Sequence, residues 1–402
     1  MLFIGVDWAR DKHDFAFLSA DGAVLLRGRV EHTAAGLAEF SQKVCEHEPE
    51  PCEVFLVLEF HDGALAAWLI AQGYNVYGLN PKSADRARDC YAPSGSKDDS
   101  LDAYVLADWG RMHYREMRPL AGLGERTEAL RSWVRLRARL VQDKTRACQR
   151  LRGLLAEWAP GFSRLCDDFN RNWQHSLLQK CPLPADLKQL HGNSLRAWVR
   201  KHRLREQTLK RILDLRSCEP MPIPEARMEA LRYEIRQLAE AIERLTVQIK
   251  QIEQKLDQAI KQHPDRAIFE SLPTGGTVTV AGMMAAFGEN RDIQVDWSER
   301  AARWGASPVT IQSGRSRHVK RRCACDQVAN QMLLFFAFKT AFREDCWAFE
   351  YYRSKREAGT AHYTALRCLA QRWVKVISRI WDERVLYDEH IHARNRRLAL
   401  AT

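Results

Sequence analysis

The first thirty residues read as three strands, one a continuous apolar run and the next alternating with period two. Residues 2–7 form an apolar run that ends on Asp7. Residues 14–19 place Phe15 and Phe17 on one face, Asp21-Gly22 is a hairpin signal, and residues 24–30 supply a third strand. Thr33 is placed to cap a helix running to about Cys45. Residues 54–59 make a second continuous apolar strand, ending on Glu59, and a helix follows over about residues 63–72. Residues 75–79 predict a short strand, residues 80–97 a polar loop, and residues 101–113 a helix.

The predicted order is βββ-α-β-α-β-α. Antiparallel hairpin strands followed by right-handed crossovers give a mixed sheet covered by helices. That order predicts an α/β RNase H-like (RuvC-like) domain over residues 1–120. An actin-like ATPase domain begins the same way, but it needs glycine-rich phosphate loops after its hairpins, and the sequence has none.

Beyond residue 120 the period changes to that of helices. Residues 125–158 carry an apolar stripe through Leu130, Trp133, Leu140, Ala147, Leu151, Leu154 and Trp158. Residues 160–220 are less regular, and the pattern assigns no fold there. Leu231, Ile235, Leu238, Ile242, Leu245, Ile249, Ile252 and Leu256 are spaced alternately by four and three, a heptad seam. Isoleucine at position a with leucine at d predicts a parallel two-stranded coiled coil, hence a homo-oligomer, dimer or tetramer; the alternative is one long helix packed inside its own subunit. Pro224 opens this helix and Pro264 stops it. Residues 121–264 therefore read as a basic helical and coiled-coil region. Residues 265–402 read as a mainly α domain, with a loop-rich centre near residues 305–322.

Charge sharpens this picture. The chain of 402 residues carries a net +11, yet residues 1–110 hold nine Lys/Arg against eighteen Asp/Glu. The front is thus at −9 and the remaining 292 residues at +20. A basic excess of that size predicts a polyanion partner, nucleic acid by default, because neutralised phosphates release counterions. On the long helix, Arg135, Arg139, Arg146 and Arg150 are candidate phosphate contacts. The eleven cysteines are scattered without a CxxC pair; Cys323-Ala-Cys325 comes nearest. Reduced thiols and a cytoplasmic location are expected. The apolar runs at residues 2–6 and 332–338 are too short for a signal peptide or a membrane span.

The candidate chemistry is carboxylate chemistry. Asp7 and Glu59 end strands expected to lie side by side. Asp99 and Asp102, three apart at a helix start, point to one side. Asp98 rivals Asp99 on spacing alone. Like-charged pairs about 4 Å apart cost roughly 4 kcal/mol each at an effective dielectric near 20. Such a cluster must share protons or bind cations, and oxygen ligands suit Mg2+ or Mn2+. Two such ions can clamp the attacking and leaving oxygens of a phosphodiester.

The motifs that carry these residues resemble a known family. Gly5-Val6-Asp7, then Leu58-Glu59 with Gly63 four residues on, then Lys97-Asp98-Asp99-Ser100-Leu101-Asp102-Ala103 are similar to the DEDD-type transposases of the insertion sequence 110 family and the related Piv-type DNA invertases. The family's lysine-led motif selects Asp99 and Asp102 over Asp98. Trp304-Gly305-Ala306-Ser307-Pro308, continuing to Ser313-Gly314, resembles its G-x-x-P-x-x-x-x-S-G segment. The resemblance covers roughly residues 1–155 and 265–390. It implies a transposase that excises and inserts a mobile element, with double-stranded DNA (element ends and target) as substrate. It also implies a serine nucleophile, which maps to Ser313, and a structured non-coding guide RNA. Ser316 is the competing hydroxyl. Arg315, Arg317, Lys320, Arg321 and Arg322 follow the serine and suit phosphate neutralisation. Leu272-Pro273-Thr274-Gly275-Gly276 departs from the family's Pro-Gly-Ile-Gly, a hairpin that grips phosphates through backbone N–H groups. The alternative function is a RuvC-like metal-dependent nuclease that hydrolyses branched DNA.

Overall fold

The computed structural model describes residues 1–59, 63–91, 99–117, 119–120, 124–166, 169–217, 222–291, 295–314 and 316–391. These divide into two compact units, one built from residues 1–125 with 290–293 and one from residues 126–289 with 294–402.

The first unit is a five-stranded sheet. Its strands are β1 (Leu2–Trp8), β2 (Lys12–Leu18), β3 (Val24–Glu31), β4 (Val54–Glu59) and β5 (Asn75–Leu79), in the order β3-β2-β1-β4-β5. The hairpin pairs β1–β2 and β2–β3 are antiparallel, while β1–β4 and β4–β5 are parallel. This topology is compatible with an RNase H-like domain. The continuous apolar run of residues 2–6 explains why β1 sits at the centre, buried on both faces. Leu2, Ile4 and Val6 enter one buried core with Phe15, Phe17, Leu56 and Leu58, beneath helices α1 (Ala34–His47) and α2 (Ala64–Ala71). Phe3 on the opposite face enters a second core with Ala16, Leu18, Ala103 and Ala107. Each fully buried aliphatic contributes about 1.5–3 kcal/mol. Thr33 caps α1 as expected, its hydroxyl accepting from the Gly36 N–H at 3.1 Å.

Helix α3 (Pro81–Tyr91) occupies most of what the sequence predicted to be a loop, and α4 (Asp99–His113) follows. The cause of α3 is local. The Asn80 side chain accepts from the Lys82 N–H at 3.0 Å, and Pro81 takes the first helical position. Only Ala84 and Ala87 of α3 are buried, so its apolar stripe is too slight to read as a period.

The second unit is almost wholly helical. Its helices are α5 (Glu125–Trp158), α6 (Pro160–Leu165), α7 (Asn172–Lys180), α8 (Pro184–Gln189), α9 (Gly192–His202), α10 (Glu206–Ser217), α11 (Glu225–Lys261), α12 (Arg266–Glu270), α13 (Thr277–Phe287) and α14 (Trp297–Arg303). After a two-stranded hairpin, β6 (Val309–Ser313) with β7 (Ser316–Lys320), come α15 (Gln327–Ala341), α16 (Trp347–Glu357) and α17 (His362–Asp382). Residues 160–217, without an assigned fold from sequence, are thus five short helices.

The unit has two cores, and both long helices run through each. Leu130 and Val134 of α5 join Ile252, Leu256 and Ile260 of α11 in the core built by α12 to α17. Leu151 and Leu155 join Ile235, Ala239 and Ile242 in the core built by α6 to α10. The start of α5 therefore lies with the end of α11, an antiparallel arrangement. Ion pairs from Arg137 to Glu253 (2.7 Å) and from Arg150 to Glu234 (2.8 Å, through Nε) cross between them. Within the chain, α5 and α7 cover Ile235 and Ile242 of the heptad seam, while Leu238 and Leu245 stay half-buried. Among the described residues, no helix is long and apolar enough to cross a membrane.

Candidate active site

The sheet register sets the site. In the parallel pair β1–β4, Leu2 faces Val54 and each later residue keeps that offset through Val6 and Leu58. One step further, Asp7 falls level with Glu59. Both strands run out of their apolar residues at the same edge. Helix α4 crosses β1 at Gly5, where a β-carbon would lie 2.0 Å from the Ala103 carbonyl oxygen and 2.4 Å from the Ala107 nitrogen. Only glycine permits that approach. The approach brings the first turn of α4, with Asp99 and Asp102, over the end of β1. The positive end of the helix dipole favours two carboxylates there.

Carboxylate oxygens of Asp7, Asp99 and Asp102 all lie within 4.8 Å of one another. Glu59 stands outside that triplet, but it lines the same cavity with Asp7, Asp102 and Arg88. The cavity has about 10 Å³ of free space, about the size of one water. The structure thus brings three of the four predicted carboxylates together and sets the fourth at their edge. Asp98, the rival of Asp99, and Lys97 lie outside the described residues.

Burial and crowding together raise the proton affinity of Asp7. Burial, reinforced by the charges of Asp102, Asp99, Glu59 and Asp14 in that order, pushes the Asp7 carboxyl up to about 6. Two cations that sequence reasoning missed offset part of the charge. Arg29 grips both oxygens of Asp14, the residue paired with Asp7 across β1–β2, at 3.0 and 3.1 Å. Arg88 donates from Nε to Oδ1 of buried Asp102, and from a terminal nitrogen to Asp85 at 3.1 Å. The signal for Arg88 was the Asn80-Pro81 helix start, with Ala84, Ala87 and Arg88 spaced to share one face.

The donor set suits a hard divalent cation. It offers carboxylate oxygens alone, close enough to converge on one ion.

Ser313 ends β6 in the second unit. It pairs with Ser316 across a tight turn, in which Gly314 adopts φ of 54°. Every residue of β7 is exposed, as is Ser313, so the hairpin presents its hydroxyls and cations to solvent. Arg317, Lys320 and Arg321 are exposed, Arg322 is half-buried, and Arg315 lies outside the described residues. The Ser316 hydroxyl is 2.9 Å from Nε2 of His318. On α5, Arg139, Arg146 and Arg150 are exposed and Arg135 half-buried. Part of that charge is met within the chain. Arg150 pairs with Glu234, Arg146 lies 3.5 Å from Asp143, and Arg135 lies 4.0 Å from Asp326.

Two family models match the chain. One, a transposase model of the DEDD type for IS110, matches residues 4–160; the other, for transposases of the IS116/IS110/IS902 family, matches residues 266–353. Together they cover the carboxylate cluster and the serine hairpin and leave residues 1–3, 161–265 and 354–402 unmatched. Full-length relatives agree. The mini-circle putative transposase for IS117 of Streptomyces coelicolor is 27% identical over 96% of this chain and 95% of its own length. An uncharacterized 44.8 kDa protein of insertion element IS116 from Streptomyces clavuligerus is 27% identical over 94% of this chain and 93% of its own. The putative transposase y4uE of Sinorhizobium fredii is 30% identical over 50% of this chain and 57% of its own length. With sheet, carboxylates and hairpin each falling inside a matched segment, the chain belongs to the IS110 family of transposases.

Proposed function

We propose that this transposase acts as a metal-dependent DNA recombinase through a serine-linked strand intermediate. The observation that carries the reading is the convergence of Asp7, Asp99 and Asp102 within 4.8 Å, where burial and the neighbouring charges raise the Asp7 carboxyl to about 6. With Glu59 they would hold Mg2+ or Mn2+, which when bound polarises a phosphodiester and stabilises charge on its oxygens.

The protein's own residues divide the remaining work. Asp7, Asp99 and Asp102 would hold the cation, with Glu59 at the cavity edge. The Ser313 Oγ attacks the phosphorus, forming the Oγ–P bond, and the P–O bond to the leaving nucleoside breaks. The serine proton passes to solvent or a carboxylate, and the leaving oxygen takes one up. A second strand's hydroxyl then displaces the serine, so bond energy is conserved and no external energy source is needed. Arg317, Lys320, Arg321 and Arg322, with Arg315, offset phosphate charge beside the serine. Arg139, Arg146, Arg150 and Arg135 on α5 serve as backbone contacts. The excess of +20 beyond residue 110 suits both DNA and a structured guide RNA. The three-part division at residues 120 and 264 is our functional reading.

The test is to incubate the protein with DNA bearing element ends and Mg2+, denature, and digest. A covalent peptide–DNA adduct mapping to Ser313 is expected. Strand cleavage with no adduct, fully retained in Ser313→Ala, selects the hydrolytic nuclease instead.

A further inference from the structure

We propose that Arg88 is a built-in counter-cation: a positioning residue that holds the carboxylate cluster together without metal and sets how much metal the site demands. The inference rests on the reading of Asp7, Asp99 and Asp102 as a cation site. Three observations carry it. Arg88 lines the same small cavity as Asp7, Glu59 and Asp102. Its guanidinium is bonded to Asp102, whose side chain is 7% exposed, while the Arg88 side chain is itself only 22% exposed. And α3 is built to deliver it: the buried Ala84 and Ala87 fix the helix with Arg88 facing α4.

The consequences follow from charge. Four carboxylates share this cavity and its rim, and a guanidinium, always charged, offsets one of them permanently. In the absence of metal it lowers the repulsion that the fold must hold in check. In the presence of metal it repels the incoming dication from within a few ångströms, so some of the affinity of the site is surrendered. A guanidinium acting only as a hydrogen-bonding orienter has the opposite signature, because losing an orienting partner weakens metal binding, typically by about 10–100-fold. The two roles are therefore separable by sign.

Arg88→Gln keeps a donor to Asp102 and removes the charge. Arg88→Lys keeps the charge. Full-length protein is melted in EDTA and then titrated with Mg2+ or Mn2+ alone, without DNA. For Arg88→Gln, the melting temperature in EDTA should fall, and the cation concentration at half-maximal stabilisation should drop by at least about tenfold. Arg88→Lys should stay near wild type in both. An unchanged or raised half-saturation in Arg88→Gln overturns the proposal. Should Arg88→Gln fail to fold in EDTA, adding Asp7→Asn must restore folding, since one lost negative charge replaces the lost positive one; a double variant that stays unfolded also overturns it. If wild-type protein shows no cation-dependent shift, the cation-site reading itself has failed, and that outcome is seen before any variant is made.

Discussion

Gly5→Ala tests how the sheet and α4 are joined. The new methyl would sit 2.0 Å from the Ala103 carbonyl oxygen and 2.4 Å from the Ala107 nitrogen, where ordinary contact begins at 3.4 Å. The shortfall is about 1.4 Å, and the obstructing atoms are helix backbone, which cannot rotate away. Helix α4 must retreat from β1, taking Asp99 and Asp102 with it. Overpacking of this kind costs about 1–3 kcal/mol, and backbone obstruction places Gly5→Ala at the upper end. A retreat of about 1 Å also misplaces catalytic groups enough to cost on the order of 100-fold in rate. The assay is denaturant unfolding alongside strand cleavage and Mn2+ titration. Gly153 in α5 is the matched control: a β-carbon there meets nothing within 4 Å, so Gly153→Ala should be neutral or stabilising by about 0.5–1 kcal/mol. If Gly5→Ala unfolds within about 0.5 kcal/mol of wild type and keeps its cation half-saturation, the close approach does not position the cluster.

Three further outcomes are expected. Asp7 has its folded pKa raised from the usual 3.8 to about 6, so its ionisation opposes folding; the penalty grows between pH 4 and 6 and is complete above that window. Asp7→Asn should therefore stabilise metal-free protein at pH 7.5 by roughly 2 kcal/mol, after discounting for partial exposure, and not at pH 4; equal effects at both pH values contradict the charge account. Ile242→Lys buries an unpaired charge among Leu151, Leu155 and Ile235 and should cost about 4 kcal/mol or more in unfolding of the single chain. A folded Ile242→Lys variant with reduced mass by light scattering would return the seam to an oligomer interface. Ser316→Ala should keep DNA adduct formation within about threefold, whereas Ser313→Ala abolishes it, because the proposed nucleophile lies in the Ser-Gly turn; the reverse result moves the nucleophile to the hydroxyl beside His318.

The sheet was legible in the sequence because its central strands β1 and β4 are continuous apolar runs, each broken by a carboxylate near its end. Asp7 and Glu59 announced themselves by breaking those runs; Asp99, with Asp102, was separated from Asp98 only by the resemblance to the family's lysine-led motif. What was illegible shares one cause, the absence of a stripe. Helix α3 buries only two alanines, so residues 80–97 looked like a polar loop and Arg88 went unnoticed. The five helices of residues 160–217 are 6 to 12 residues long, too short for a period to establish itself. The β6–β7 hairpin is mostly exposed on both faces, so no alternation marks it. The heptad seam shows a different limit. Spacing specifies an apolar stripe but not what covers it. The stripe on α5, through Leu130 and Leu151, was visible in the same chain and covers part of the seam, with α7 covering more of it.

The most direct test of the central claim is anomalous diffraction from crystals grown with Mn2+. A peak about 2.1 Å from oxygens of Asp7, Asp99 and Asp102, lost in Asp7→Asn, is the predicted result. Crystals in which Mn2+ binds elsewhere, while those three carboxylates remain clustered and metal-free at saturating concentration, would contradict the account.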